Sequence, residues 1–298
     1  MLSYRHAFHA GNDADVIKHI TLCGLLDAMT RKDKPFLYLE THAGAGYYGL
    51  QSLRARETGE SDRGVRLFKD LAPGALPHDA ELWLERVRAC NAGAGLRRYP
   101  GSPWLAKSFL RTQDRAVFAE LHPVDHGKLT RLMRDSPRST VVQQDGYELL
   151  RAFLPPVERR ALVLIDPAYE TRDELARLHR ALVDGLQRFA TGVFAVWYPL
   201  GARHGAEAIV AHVARAARST PRPVKTLDLR WERAVPQERG DGTIGLRGAG
   251  MVILNPPFGL EASLREALTA AALRLEPEAA GAGRGPRIDV SWPVPESA

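Results

Sequence analysis

Cysteine is scarce: the 298 residues hold two, Cys23 and Cys90. Two cysteines cannot make the disulfide framework of a small secreted scaffold, so a cytoplasmic protein is expected. Cys23 falls in an apolar helical pattern and reads as a core residue. Metal-binding patterns are missing as well. His6, His9 and His19 lie close in sequence, but no cysteine or carboxylate joins them at zinc-ligand spacing, and no metal is expected. No apolar run approaches the ~20 residues of a membrane span, and no signal-peptide pattern opens the chain. No membrane partner is therefore expected. The glycine-rich stretch at 41–46 is not followed by Gly-Lys-Ser/Thr, which excludes a Walker-type phosphate loop. There is no internal repeat.

Against these absences stands a globular composition, 45% hydrophobic and 26% charged, with ample material for a core. Lys and Arg number 41 against 35 Asp and Glu, a net charge of +6. This basic excess suits a polyanionic partner such as nucleic acid. The plainer reading of the same number is a solvated, arginine-rich surface.

The organising stretch is Ala161-Leu162-Val163-Leu164-Ile165 running into Asp166-Pro167-Ala168-Tyr169. A short aliphatic run without polar alternation reads as a parallel strand buried on both faces. Ligands in open α/β sheets gather at the carboxyl ends of strands, which places Asp166–Tyr169 at a site mouth. Other segments agree with an alternating α/β order. Tyr4–Gly11 is an aromatic, basic arm without period. Asn12 then caps a helix from about Asp13 to Arg31 that carries Lys18 and His19. Phe36–Glu40 is a first strand leading into Thr41-His42-Ala43-Gly44-Ala45-Gly46, a loop whose glycines permit close ligand approach. Further strands are expected at Ala116–Glu120, Ser139–Gln143, Gly192–Tyr198, Thr226–Trp231 and Gly250–Leu254. The predicted fold is α/β, a Rossmann-like class with a seven-stranded, mostly parallel sheet.

A nucleotide-binding sheet of this type has an acid for the ribose hydroxyls ~20 residues after the glycines. The best candidate, Glu120, lies about 75 residues on, so an insertion of about 50 residues is implied. A helical subdomain is accordingly expected at 52–100, between main-domain segments 1–51 and 101–298. Within it, Gly64–Leu71 and Asp79–Ala92 read as short helices. Ser102 is expected to cap the next helix with Pro103 in its first turn. Gln237–Gly248 reads as a mobile loop, and Glu276–Arg287 as irregular chain.

Four acids end successive strands: Glu40, Glu120, Asp145 and Asp166. A nicotinamide dehydrogenase would use the first features but has no use for Asp-Pro-Ala-Tyr. That motif is one residue from Asp-Pro-Pro-Tyr, the signature of enzymes that methylate exocyclic amines of bases. An S-adenosylmethionine (AdoMet) methyltransferase uses all four positions. Glu120 would accept from the ribose hydroxyls, Asp145 from the cofactor's adenine amine, and Asp166 and the Pro167 carbonyl from the target amine. Tyr169 would stack on a flipped-out base. A second stretch, Asn255-Pro256-Pro257-Phe258, competes for the same role. Its place after the last core strand favours a strand-ending turn instead.

With these residues in hand, the chain closely resembles the RlmJ family of bacterial 23S ribosomal RNA adenine-N6 methyltransferases. The matching blocks include Leu2-Ser3-Tyr4-Arg5-His6 to Lys18-His19, Thr41–Gly46, Tyr99-Pro100-Gly101-Ser102-Pro103, Glu120-Leu121-His122-Pro123, Ala195–Pro199 and Val290-Ser291-Trp292. The resemblance implies methylation of a single adenine of 23S rRNA, position 2030 in the bacterial reference numbering, by a monomer. It implies AdoMet contacts from Lys18, His42, Ser102, Glu120, Asp145, Gly146 and Asp166. It also implies a gate or substrate contact from Tyr4 and His6. Two positions depart from the family pattern. Asp13 stands where a histidine is often found, and Ala168 replaces the second proline of Asp-Pro-Pro-Tyr. Alternatives with the same sheet are a DNA adenine methyltransferase, which should carry a larger target-recognition domain, and an RNA-binding protein without catalysis.

Overall fold

A computed structural model describes residues 9–52, 58–93, 95–201, 205–235, 245–281 and 285–295. Helix α1 spans Asp13–Thr30, and the Asn12 side chain caps it by accepting from the Asp15 amide. Strand β1 (Leu37–Glu40) follows, then β2 (Tyr47–Gly49). Two 3-10 turns (Glu60–Arg63 and Val65–Phe68) lead to α2 (His78–Asn91) and β3 (Arg98–Pro100). The order then alternates: α3 (Ser102–Phe109), β4 (Arg115–Ala119), α4 (Pro123–Leu132), β5 (Ser139–Val142), α5 (Gly146–Phe153), β6 (Ala161–Ile165), α6 (Glu174–Arg188), β7 (Val193–Leu200) and α7 (Ala206–Ala217). The chain closes with β8 (Thr226–Glu232), β9 (Gly248–Leu254), α8 (Leu260–Leu275), α9 (Pro277–Gly281) and β10 (Arg287–Val294).

Eight strands form one sheet in the order β10-β8-β9-β7-β6-β1-β4-β5. The pairs β7-β6, β6-β1, β1-β4 and β4-β5 are parallel, and β9 lies antiparallel between β7 and β8. The expected seven strands fall one short. The missed strand is β10, an antiparallel edge strand along β8 whose residues are mostly half-buried or exposed. It follows a Pro/Gly-rich run and contains Pro293, and both features weaken a strand pattern in sequence. A second, two-stranded antiparallel ribbon, β2-β3, also went unread, because three-residue strands are too short to show a period.

Side chains alternate across β6: Leu162 and Leu164 join one layer, Val163 and Ile165 the other. The first layer holds α1, α2, α3 and α8. The second holds α5, α6 and α7. Burial on both faces explains why the sequence of this strand lacks polar alternation. The expected helix Gly64–Leu71 is instead the second 3-10 turn, Val65–Phe68, and Gly64 fits only glycine. A Cβ there would meet the Gly11 carbonyl at 2.1 Å.

Strand order sets the site. From β1 the chain proceeds outward to β4 and β5 on one side, and β6 and β7 lie on the other. The reversal falls between β1 and β6, where open α/β sheets leave a crevice at the carboxyl ends. β9 runs the opposite way, with Leu254 level with Phe194 near the start of β7. Asn255 therefore lies at the far rim of the sheet from Asp166. Its amide donates to the carbonyls of Ala190 (2.7 Å) and Gly192 (2.8 Å), and its φ is +53°. Asn255–Phe258 is a turn that ends a strand. Among the described residues, no helix is long and apolar enough to cross a membrane.

Candidate active site

Asp166 leaves β6 at the crevice. Its Oδ2 accepts from Lys18 Nζ at 2.9 Å. Lys18 is buried in the first turns of α1, and its ammonium also contacts Asp15 Oδ1 at 3.0 Å, one helical turn back. The Trp197 ring lies beneath the same ammonium, 5.5 Å from nitrogen to centroid. Asp15 is held in turn by the Gly11 amide, which donates to Oδ2 at 2.9 Å. Lys18 thus bridges two carboxylates against an aromatic face, an arrangement that compensates a buried cation. The Asp15–Lys18 spacing was readable in the sequence. Trp197 carried no signal beyond its place in the expected strand Gly192–Tyr198 and in the matching block Ala195–Pro199.

Glu40 ends β1 beside this group and is fully buried. Ser102 Oγ donates to its Oε1 in a short hydrogen bond, and Tyr38 OH donates to Oε2 at 3.0 Å. Burial pushes the Glu40 carboxyl up to about 8, with repulsion from Asp166 adding to burial and Ser102, Tyr38 and Lys18 opposing it. Ser102 is not the helix cap expected from sequence. Gly101 holds that position, Ser102 is the first helical residue, and its hydroxyl serves Glu40.

The loop after β1 turns back over β4. Gly44 (φ +66°) donates its amide to Glu120 Oε2 at 2.7 Å, and the His122 amide donates to Oε1 at 2.7 Å. A Cβ on Gly44 would meet Tyr48 OH at 2.3 Å. Burial raises the Glu120 carboxyl above its usual range despite these two donors. Each oxygen keeps a lone pair for a ligand hydroxyl. Asp145 caps α5 through Oδ1, which accepts from Tyr147 N at 3.0 Å, while Arg177 donates to Oδ2 in a short ion pair. Arg177 also lies over the Tyr147 ring at 5.2 Å. Nothing in the sequence points to Arg177, since it comes from the first turn of α6, 32 positions from Asp145. Gly146 packs flat on the loop: a Cβ would meet Thr41 O at 1.7 Å. His42 Nδ1 shares a 2.7 Å hydrogen bond with Thr41 Oγ1, and its ring meets Tyr147 edge-on at 5.3 Å. Burial lowers the His42 imidazole below its usual value.

Pro167 is buried and Ala168 exposed. Tyr169 is 3% exposed, with φ +55° and its hydroxyl donating to Trp197 O at 2.7 Å. Its ring packs 6.4 Å from that of Trp197 instead of opening to solvent. Tyr4 and His6 lie outside the described residues, as does most of the expected mobile loop, at 236–244. His9 and His19 each have a side-chain partner, Glu60 Oε1 at 2.9 Å and Tyr99 OH at 2.8 Å. Asp13, at the departure from the family pattern, pairs with Arg233 in a buried salt bridge. Among the described residues, no group of three or more His, Cys, Asp or Glu could hold a metal ion.

One rim therefore gathers a glycine loop, two partly engaged acids and a Lys-bound aspartate. Residues 33–289 match the family described as ribosomal RNA large subunit methyltransferase D, RlmJ. The chain belongs to the RlmJ family. Two relatives, each called ribosomal RNA large subunit methyltransferase J, come from Escherichia coli K12 and Haemophilus influenzae. Each is 39% identical over 297 residues, 99% of this chain and all of the relative. A solved structure, protein LPL1258 of Legionella pneumophila, is 31% identical with a TM-score of 0.81, covering 95% of this chain and 98% of that one. Members of the RlmJ family are methyltransferases of large-subunit ribosomal RNA, with AdoMet as methyl donor. Gly44 and Gly146 pack so closely on Tyr48 and Thr41 that neither position tolerates a Cβ, and the acids Glu120 and Asp145 stand beside this loop.

Proposed function

We propose that this protein methylates the exocyclic N6 of a single adenine in 23S rRNA, with Asp166 as the residue that receives the amine. The observation that carries the reading is the placement of Asp166: it stands at the crevice between β1 and β6, fixed by Lys18 at 2.9 Å, beside the glycine loop. The adenine amine is a weak nucleophile because its lone pair is delocalised into the ring. Asp166 accepting one amine hydrogen and the Pro167 carbonyl accepting the other return electron density to nitrogen and aim the lone pair. AdoMet supplies an electrophilic methyl group on a sulfonium. Transfer of the methyl from sulfur to N6 would leave S-adenosylhomocysteine and require loss of one N–H proton, and Asp166 is the base placed to take it. Lys18 orients Asp166 and balances its charge throughout. Trp197, half-buried and backed by the buried Tyr169, gives the aromatic wall for a base drawn out of its stack.

Within this reading Glu120 holds the ribose hydroxyls, Asp145 and Gly146 the adenine of the cofactor, and His42 and Ser102 border the same cleft. For Tyr4 and His6, outside the described residues, the reading keeps the gate or substrate contact that the family resemblance implies. The deciding experiment incubates the protein with AdoMet and deproteinised 23S rRNA, digests the RNA and separates the nucleosides. N6-methyladenosine at one site is expected. A methylated pyrimidine, a ribose methylation, or preferential transfer to DNA would overturn the assignment.

A further inference from the structure

Four arginines of the 52–100 stretch, Arg86, Arg88, Arg97 and Arg98, differ in what holds their side chains. Arg86 lies over the Phe109 ring at 4.5 Å and pairs with Glu85. Arg88 pairs with Glu81 and donates to the Leu71 carbonyl. Both serve the protein's own packing. Arg97 and Arg98 are exposed and, among the described residues, pair with no carboxylate. Their backbone is nevertheless firmly held. Asn91, the last residue of α2, accepts the Arg97 and Arg98 amides on Oδ1 (2.9 and 2.8 Å) and donates to the Arg98 carbonyl at 3.0 Å. The Leu50 amide donates to the Arg97 carbonyl at 2.9 Å.

The ribbon itself has two unlike faces. Tyr48 and Tyr99 stand opposite each other and are buried. On the other face, Tyr47 is 42% exposed, with the Arg98 guanidinium 5.6 Å from its ring centroid, diagonally across the strands. Gly49, opposite Arg98, leaves this face without a side chain at its outer end. The inner end joins the cofactor loop directly, where the Gly101 amide donates to Gly46 O at 2.9 Å.

We infer that the outer face of the β2-β3 ribbon is an RNA-docking surface that holds an unpaired nucleotide flanking the target. Tyr47 offers its ring for stacking, and Arg97 and Arg98 take the adjoining phosphates. An exposed aromatic beside unpaired guanidinium groups is the chemistry that binds single-stranded nucleic acid without reading its sequence. Preorganised backbone with free charged side chains suits a ligand of opposite charge. A flat glycine opposite the arginine lets a base approach the strand closely. The inference rests on an RNA substrate, and it assigns the part of the protein that grips RNA next to the reaction centre.

The test measures binding of deproteinised 23S rRNA to full-length protein across a salt series, with AdoMet affinity measured on the same samples. Arg97→Gln/Arg98→Gln should reduce the log–log salt slope by about 2 and weaken binding at moderate salt. Tyr47→Leu should weaken RNA binding about five-fold or more, whereas Tyr47→Phe keeps the ring and the affinity. AdoMet affinity should not change in any variant. If wild type binds and methylates RNA but the variants keep its affinity and slope, the ribbon inference fails and the proposed function stands. If the variants lose activity only on protein-containing ribosomal particles, with naked RNA bound as before, the ribbon meets protein and the inference also fails. If wild type neither binds nor methylates RNA, the proposed function itself falls.

Discussion

Replacing Glu40 by glutamine should make the protein more tolerant of alkaline pH. Glu40 is fully buried and keeps its proton up to about pH 8, chiefly because burial disfavours the carboxylate. In the unfolded chain the same group loses its proton near 4.5. An acid whose folded value is raised contributes stability that is fully present below the unfolded value and lost as pH rises through the folded one. The window here is about pH 4.5 to 8. At 1.36 kcal/mol per pH unit the loss across it is about 5 kcal/mol. Glutamine keeps the shape, accepting from one of the two hydroxyls of Ser102 and Tyr38 on its oxygen and donating to the other from its amide nitrogen, and never ionises. Urea unfolding of wild type and Glu40→Gln at pH 5, 7 and 9 should show the variant gaining on wild type by several kcal/mol, with most of the gain reached by pH 8. Any fixed cost of the amide cancels, because only the pH dependence of the difference is read. Parallel stability profiles would show that Glu40 does not hold a proton in the folded protein, and the account of this network would be wrong.

Asp166→Ala should abolish methyl transfer in single-turnover assays at saturating AdoMet, with circular dichroism unchanged; an active variant would remove Asp166 from the chemistry. Asn255→Ala should keep the rate and lower stability by about 1–3 kcal/mol, because the Ala190 and Gly192 carbonyls lose their donor; a dead but folded variant would contradict its place at the far rim. Glu120→Ala and Asp145→Ala should each weaken AdoMet binding by calorimetry, and unchanged affinity in both would dismiss the assigned cofactor cleft. Restoring proline at Ala168 should leave the rate the same or higher, since it restricts Pro167 to extended geometry; a large loss would show that the exposed Ala168 position meets the substrate.

Much of this architecture was legible because it rests on burial. The continuous apolar run of β6 announced a strand covered on both faces, and the acid after it fell at the rim where such sheets bind ligands. The long interval between the glycine loop and Glu120 holds β2, two 3-10 turns, α2, β3 and α3. What escaped depends on contacts distant in sequence. Asp145 looked like a free cofactor ligand, but it also caps α5 and pairs with Arg177 from α6. Ser102 had every local mark of a cap, yet Glu40, 62 positions away, claims its hydroxyl. Tyr169 read as an open platform, and the structure buries it beneath Trp197's strand. The ribbon β2-β3 and the edge strand β10 were too short or too broken by proline for a period of two to emerge.

Helix α1 has a consequence for any attempt to trim this protein. Every residue from Asp13 to Leu26 is buried, because the sheet, α2, α3 and α8 enclose it from different sides. A helix surrounded in this way has no surface on which to slide or tilt. Lys18, 148 positions from Asp166, is therefore located by the packing around α1. Excising 52–100 to obtain a minimal catalytic unit would strip α2 from α1 and leave the ammonium without a fixed address. The segment that looks dispensable on a topology diagram is part of the vice that holds Lys18 against Asp166.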